Sequence, residues 1–286
     1  MKASVRLAGK AIGALLFIVM CLPAASHEPF SLGCSMGNNG TIMQTSGMSG
    51  RQPWIPACFF VDSLRFGIAV CGIDYYDQMD NLESSRIRQA VLGGWYAQNR
   101  FIAKAAYAYF NALDLYNEQQ GFCSIGLTVI RSITASVDIT GCRAGLLYVN
   151  YPPRTFLHGG ASMLVQGKTA ALSVSCSHCA LKNAPVQGFE PPLTVSAGVY
   201  ATVNRYGSQG VVFEMAREAD WAFRISMGEE YCFSRYFSLC GALSTNPLTL
   251  HFGCAVSSGR SGIALSFVNN PVLGWSKGLT LDYAHP

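Results

Sequence analysis

The chain has 286 residues, 50% of them hydrophobic, and only 13% charged where a soluble domain averages about 25%. Three of its 20 Lys+Arg lie in the first ten residues, leaving 17 against 16 Asp+Glu; so balanced a charge excludes a nucleic-acid footprint. Beyond the N-terminus no apolar run is long enough for a membrane helix, which leaves alternating strands with one greasy face as the reading of so apolar a chain.

Lys2, Arg6 and Lys10 precede the apolar run Ala11 to Leu22 and the small residues Ala24-Ala25-Ser26. This is the pattern of a secretory signal peptide over 1–26, too short for a spanning helix. Residues 27–52 are rich in Gly, Ser, Met and Asn; they read as a flexible leader or as a segment folded back into a lumen. From 53 to 286 the sequence predicts a β-barrel of 12 to 14 strands.

The predicted strands begin with Phe66–Tyr75, Arg88–Gln98, Phe101–Leu113, Gly121–Arg131 and Ser136–Asn150. Ala161–Gln166, Ala170–Cys176, Leu193–Val203, Gly210–Arg217 and Phe223–Gly228 follow. Alternation resumes at Leu248–Cys254, Ile263–Phe267 and Gly278–Tyr283. Asn117-Glu118-Gln119-Gln120, Tyr151-Pro152-Pro153, Pro191-Pro192 and Asn246-Pro247 are the turn signals between them. Asn81 to Ala90 and the Ala-rich Ala103 to Leu115 also fit a helix. In Leu193–Val203 one face reads Leu, Val, Ala, Val, Ala, Val, and the other Thr, Ser, Gly, Tyr, Thr. Those polar faces are too sparsely charged to solubilise an exterior, yet they suit a lumen. Trp54, Trp95, Tyr96, Tyr148, Tyr151, Tyr206, Trp221, Tyr236, Trp275 and Tyr283 stand near strand ends, where interface girdles collect aromatics. The fold class is therefore all-β, an antiparallel transmembrane barrel exported to the outer membrane of a Gram-negative-type cell. In the last strand Leu279, Leu281 and Tyr283 are expected to face lipid, and Gly278, Thr280 and Asp282 the interior.

Gly228-Glu229-Glu230-Tyr231, Leu239 to Pro247, Phe252-Gly253-Cys254-Ala255-Val256 and Pro271-Val272-Leu273-Gly274-Trp275-Ser276-Lys277 resemble the end of proteins in the long-chain fatty-acid transporter superfamily. The likeness is strongest to the short relatives found in Bacteroidetes, Chlorobi and Fibrobacteres, some of which serve secretion systems. It covers roughly residues 222–283 as a G-x-E-Y strand, an N-P hairpin and a P-x-L-G turn before the last strand. Asn270, Lys277, Cys240 and Ala242 depart from the pattern, and the N-terminal Asn-Pro-Ala element of many relatives is absent. The resemblance implies a barrel and hints at hydrophobic cargo.

Ten cysteines follow the leader: Cys34, Cys58, Cys71, Cys123, Cys142, Cys176, Cys179, Cys232, Cys240 and Cys254. Scattered about one per strand, they read as packing residues with one or two bridges at most. Cys176-Ser177-His178-Cys179 is the one metal-like cluster, but it lacks a second ligand pair, and a local disulfide or plain loop fits it better. His158, His178, His251 and His285 lack a nucleophile motif, so neither an enzyme nor a cofactor is expected. Glu214, Arg224, Glu230, His251 and Asp282 are the candidate lumen-lining residues. The functional expectation is a channel or transporter for small molecules, hydrophobic ones among them, with outer-membrane lipid and such cargo as partners. A non-transporting scaffold with secretion-system partners is the alternative, and a membrane-bound hydrolase a disfavoured third.

Overall fold

The computed structural model describes residues 57–59, 66–75, 87–112, 116–146, 153–167, 169–182, 193–204, 207–217, 222–234, 236–245, 248–258, 260–270 and 274–285. The proposed signal peptide and the 27–52 segment lie outside the described residues. Fourteen strands follow one another in chain order: β1 (Phe66–Tyr75), β2 (Ile87–Gln98), β3 (Phe101–Ala112), β4 (Tyr116–Ile130), β5 (Ile133–Leu146), β6 (Arg154–Gln166) and β7 (Ala170–Lys182). They continue as β8 (Leu193–Asn204), β9 (Gly207–Arg217), β10 (Ala222–Cys232), β11 (Phe237–Ser244), β12 (Thr249–Ser257), β13 (Ser261–Asn270) and β14 (Gly274–His285). Each pairs antiparallel with its neighbours, and β14 pairs with β1 from Phe66↔His285 to Asp74↔Lys277, so the sheet closes on itself. Closure removes the unpaired edges that hydrocarbon would not tolerate.

The two ends of the barrel differ. At the end holding the start of β1 and the end of β14, the connections are short: 99–100, 131–132, 167–169, 205–206, 233–236 and 258–260. At the other end three of the seven connections, 76–86, 147–153 and 183–192, are longer. We call these the turn end and the loop end. Asn99 takes φ 56°, the left-handed conformation that a two-residue hairpin turn needs and asparagine tolerates.

Alternation decides which solvent each face meets. Ile68, Val70, Leu92, Ile125, Val137 and Ile139 all point outward and are exposed, a mid-strand apolar exterior that water would penalise and lipid accepts. In β14, Leu279, Leu281 and Tyr283 are exposed while Gly278 is buried and Thr280 and Asp282 are half-buried. Tyr96, Tyr236 and Tyr283 stand exposed at the turn end, where Phe66 also stacks on His285 at 5.1 Å. Trp275 stands at the loop end against Phe252, 6.4 Å between ring centres.

Three sequence expectations change, and one alternative is set aside. Asn117 to Gln120 is not a turn but part of β4, because Glu118 points into the barrel and is buried there; polar residues that would break a strand in a soluble sheet are at home in a lumen. The Ala-rich stretch that also fits a helix is β3, its register fixed by ladders to β2 and β4. Trp95 is not a girdle residue: it is 4% exposed and packs inside with Ala57, Ala69, Ile102 and Ala284. Its neighbour Tyr96 takes the outward position, and a period of two sends the indole inward. Gly67 faces Trp95 across the ladder, and a Cβ there would lie 2.2 Å from the indole, so this close approach needs glycine. The Cys176–Cys179 stretch is not a strand end running into a loop: β7 continues to Lys182, and irregular pairing with β6 near Gly159 absorbs the extra residues.

Candidate functional site in the barrel lumen

Fourteen strands enclose more width than their own side chains fill; about eight strands bring the walls close enough for that. The space is narrowed from within. Ala57–Phe59 forms one 3-10 turn, and Ala57 and Cys58 are 0% and 1% exposed against the inner wall of β3 to β6. That wall presents Ile102 and Lys104 from β3, Ser124 and Gly126 from β4, Ser136 and Asp138 from β5, and Ser162 and Leu164 from β6, all buried or backbone-only.

The turn is latched by a relay. The Ala57 amide donates to Ser124 Oγ at 2.8 Å, and the Ser124 hydroxyl donates to Asp138 Oδ1 at 2.5 Å. The serine thus accepts from a buried amide and donates to a carboxylate, and each bond polarises the other. A Cβ at position 126 would sit 2.9 Å from the Ala57 Cβ, so the inner face of β4 is bare at the point where the turn touches it. Cys58 packs on Leu164. Burial pushes its thiol up to about 12, with the Asp138 carboxylate adding to the rise and Ser136 and the Lys104 ammonium opposing it. Lys104 is 3% exposed and Asp138 8%; both lie on the wall against the turn, in one row with Ser124 between them.

Nearer the loop end the same wall carries a second set. Glu118 accepts from Cys142 Sγ at 3.2 Å and from the Gln120 amide, and Phe156 packs with Cys142 and Ala144. His158, 2% exposed, lies against the Phe156 ring at 6.3 Å.

The residues singled out from sequence do not converge. In the β9–β10 ladder Glu214 stands in register with Arg224. Glu230 pairs instead with Ser208 and Cys240, six residues along β10 and about 20 Å from Arg224. His251 is buried, with its Nε2 2.9 Å from the Thr249 hydroxyl, opposite Ala242 and Val268. Asp282 lies at the turn end opposite Ala69 and Gly262. They occupy several levels of the barrel rather than one constellation. Cys176 and Cys179 are free thiols 3.5 Å apart, and among the described residues no group of three His, Cys, Asp or Glu has metal-binding geometry. The eight described cysteines are all free.

Sequence reasoning missed Lys104, Ser124 and Asp138. The available signal was Lys104 itself, the one cation in Ala-rich Ala103 to Ala112, and Asp138 within the alternating Ser-Val-Asp-Ile-Thr. Once β3 and β5 are aligned through β4, with Lys104↔Ser124 and Ser124↔Asp138, the three residues form one row.

Neither a family model nor a curated protein sequence matches this chain. Its fold does match solved structures. The toluene transporter TodX of Pseudomonas putida is 10% identical with TM-score 0.53, over 80% of this chain and 90% of that one. The CymD monoaromatic hydrocarbon channel is 8% identical with TM-score 0.60, over 85% and 94%. A deltaS2S3 mutant of TodX, also a monoaromatic hydrocarbon channel, is 11% identical with TM-score 0.55, over 80% and 92%. At these identities the likeness establishes a shared barrel fold.

Proposed function

We propose that this chain is an outer-membrane channel for small apolar molecules whose lumen is restricted by its own N-terminal segment. The observation that carries the reading is the seated turn: Ala57 and Cys58 are fully buried inside a barrel too wide to fill itself, held by the Ser124–Asp138 relay. Passage then requires cargo to move past that turn or displace it. Similarity of fold to hydrocarbon channels supports apolar cargo, and the signal-like N-terminus supports export to the outer membrane. The longer connections support a loop end outside the cell, as outer-membrane barrels keep short turns on the periplasmic side.

The test has two parts. Cells producing the full chain are compared with cells lacking it for uptake of a labelled monoaromatic hydrocarbon. The purified chain and its Gly126→Leu variant are compared for ion conductance in planar bilayers. Faster uptake, together with a conductance rise when the side chain at 126 unseats the turn, is expected. Equal uptake and equal conductance overturn the proposal in favour of a non-transporting scaffold or secretion accessory.

A further inference from the structure

The lipid-facing side of the barrel is not uniformly apolar. Where β14 closes on β1, Asp74 is paired across the ladder with Lys277 on one side and with Arg88 on β2 on the other, and Arg88 is paired with Asn111 on β3. Asp74, Arg88 and Lys277 are exposed and outward-facing by the same alternation that turns Leu279 to lipid. All four residues lie at the loop end, where strands leave hydrocarbon and head groups begin. One strand separates Arg88 from Lys277, so the two cations stand about 10 Å apart with one carboxylate between them.

Below these charges the exterior is indented. A depression of about 1030 Å³ has Gly72 and Ala90 on its floor, with Tyr109 on one side and Leu265, Phe267 and Leu279 on the other. A Cβ on Gly72 would meet nothing within 4 Å. The outside of a barrel is convex, so a hollow this size exists because small residues occupy the centre of a patch ringed by large ones. The ring is apolar towards the bilayer middle and net positive towards its surface.

We propose that this hollow is a binding site for one membrane lipid of the loop-end leaflet, a lipid whose head group carries anionic phosphate. Arg88 and Lys277 hold the phosphate, with Asn111 beside Arg88 as a further donor; an acyl chain lies over Gly72 and Ala90 between Tyr109 and Phe267. A fixed planar guanidinium and a mobile ammonium are both suited to phosphate. Asp74 leaves the patch one positive charge in excess and tempers the affinity. The bound lipid spans β13 to β3 and so straddles the seam that closes the barrel. This site is independent of whether the lumen conducts.

The experiment uses the full chain folded in neutral detergent micelles doped with phosphatidylglycerol, bisphosphorylated lipid A or zwitterionic phosphatidylcholine, and reads retained lipid by native mass spectrometry. The wild type is expected to retain one anionic lipid at least tenfold over phosphatidylcholine. The Arg88→Ser/Lys277→Ser pair is expected to lose that preference. Asp74→Asn is expected to strengthen retention several-fold, and Gly72→Phe to abolish it with both cations in place. The sign at Asp74 tests the site even if the double variant fails to fold. Equal retention of anionic and zwitterionic lipid overturns the proposal. So does undiminished retention in Gly72→Phe, or full competition by inorganic phosphate at the lipid's concentration.

Discussion

Lys104 and Lys277 sit on the same closed sheet, three strands apart around the seam, and meet opposite surroundings. Lys104 points inward, is 3% exposed, and stands in one row with Ser124 and Asp138 on the wall that holds the seated turn. Lys277 is exposed opposite Asp74 at the loop end, on the rim of the apolar hollow. The difference teaches that in this barrel the value of a charge is set by strand parity and by height along the strand. A cation deep in a narrow lumen must be paired, because leaving its partner alone is costly; one at the rim can find lipid phosphate or water.

The largest effect should come from breaking the buried side of the comparison. Lys104→Met leaves Asp138 uncompensated and is expected to cost about 3–5 kcal/mol of barrel stability. The double variant Lys104→Met/Asp138→Asn should recover most of it, as read by urea unfolding in lipid vesicles. A single variant as stable as the wild type would show that water, not Lys104, balances the carboxylate.

Next comes parity itself. Leu281→Lys places a charge in lipid near mid-strand and should cost about 2–4 kcal/mol, whereas Thr280→Lys, one residue away on the inner face, should cost well under half of that. Equal costs in the same unfolding assay would mean that the outer and inner faces are misassigned.

Ser124→Ala removes the acceptor of the Ala57 amide and should weaken the seating by about 1 kcal/mol. Its readout is local: Cys58 should become accessible to maleimide faster than in the wild type while the barrel's unfolding midpoint barely moves.

The smallest effect within the ordinary pH range concerns Cys58. Its thiol is raised from 9.0 to about 12 when the turn is seated, so the seated state binds this proton more tightly than the displaced one. The Cys58 contribution to seating is therefore constant below about pH 8, falls as pH climbs past 9, and is lost fully only near 12. Maleimide labelling of Cys58, corrected for the reagent's own pH dependence, should rise above pH 9. A change between pH 6 and 8 would implicate a different group.

Much of the wall was legible from residues alone. Phe66–Tyr75 and the outward set Leu279, Leu281 and Tyr283 follow from period-two alternation, which needs no partner to be read. Where polar residues are driven by a lumen rather than by water, the reading failed. Asn117 to Gln120 has turn composition yet runs through β4, because Glu118 finds Cys142 and Gln120 inside the barrel. Trp95 and Tyr96 are adjacent aromatics, and composition could not say which takes the lipid side. The latch was illegible for a different reason. Ala57, Lys104, Ser124 and Asp138 come from four separate segments, and only strand register brings them into one row.

The sequence by itself determined that this chain makes amphipathic strands with a lipid-compatible exterior, because alternation and low charge are local properties carried by each segment. Tertiary structure decided how many strands close, which charges are buried, and that a turn of the N-terminal chain sits inside. Those depend on residues far apart in sequence meeting across ladders, and a one-residue change of register would send each of them to the other face.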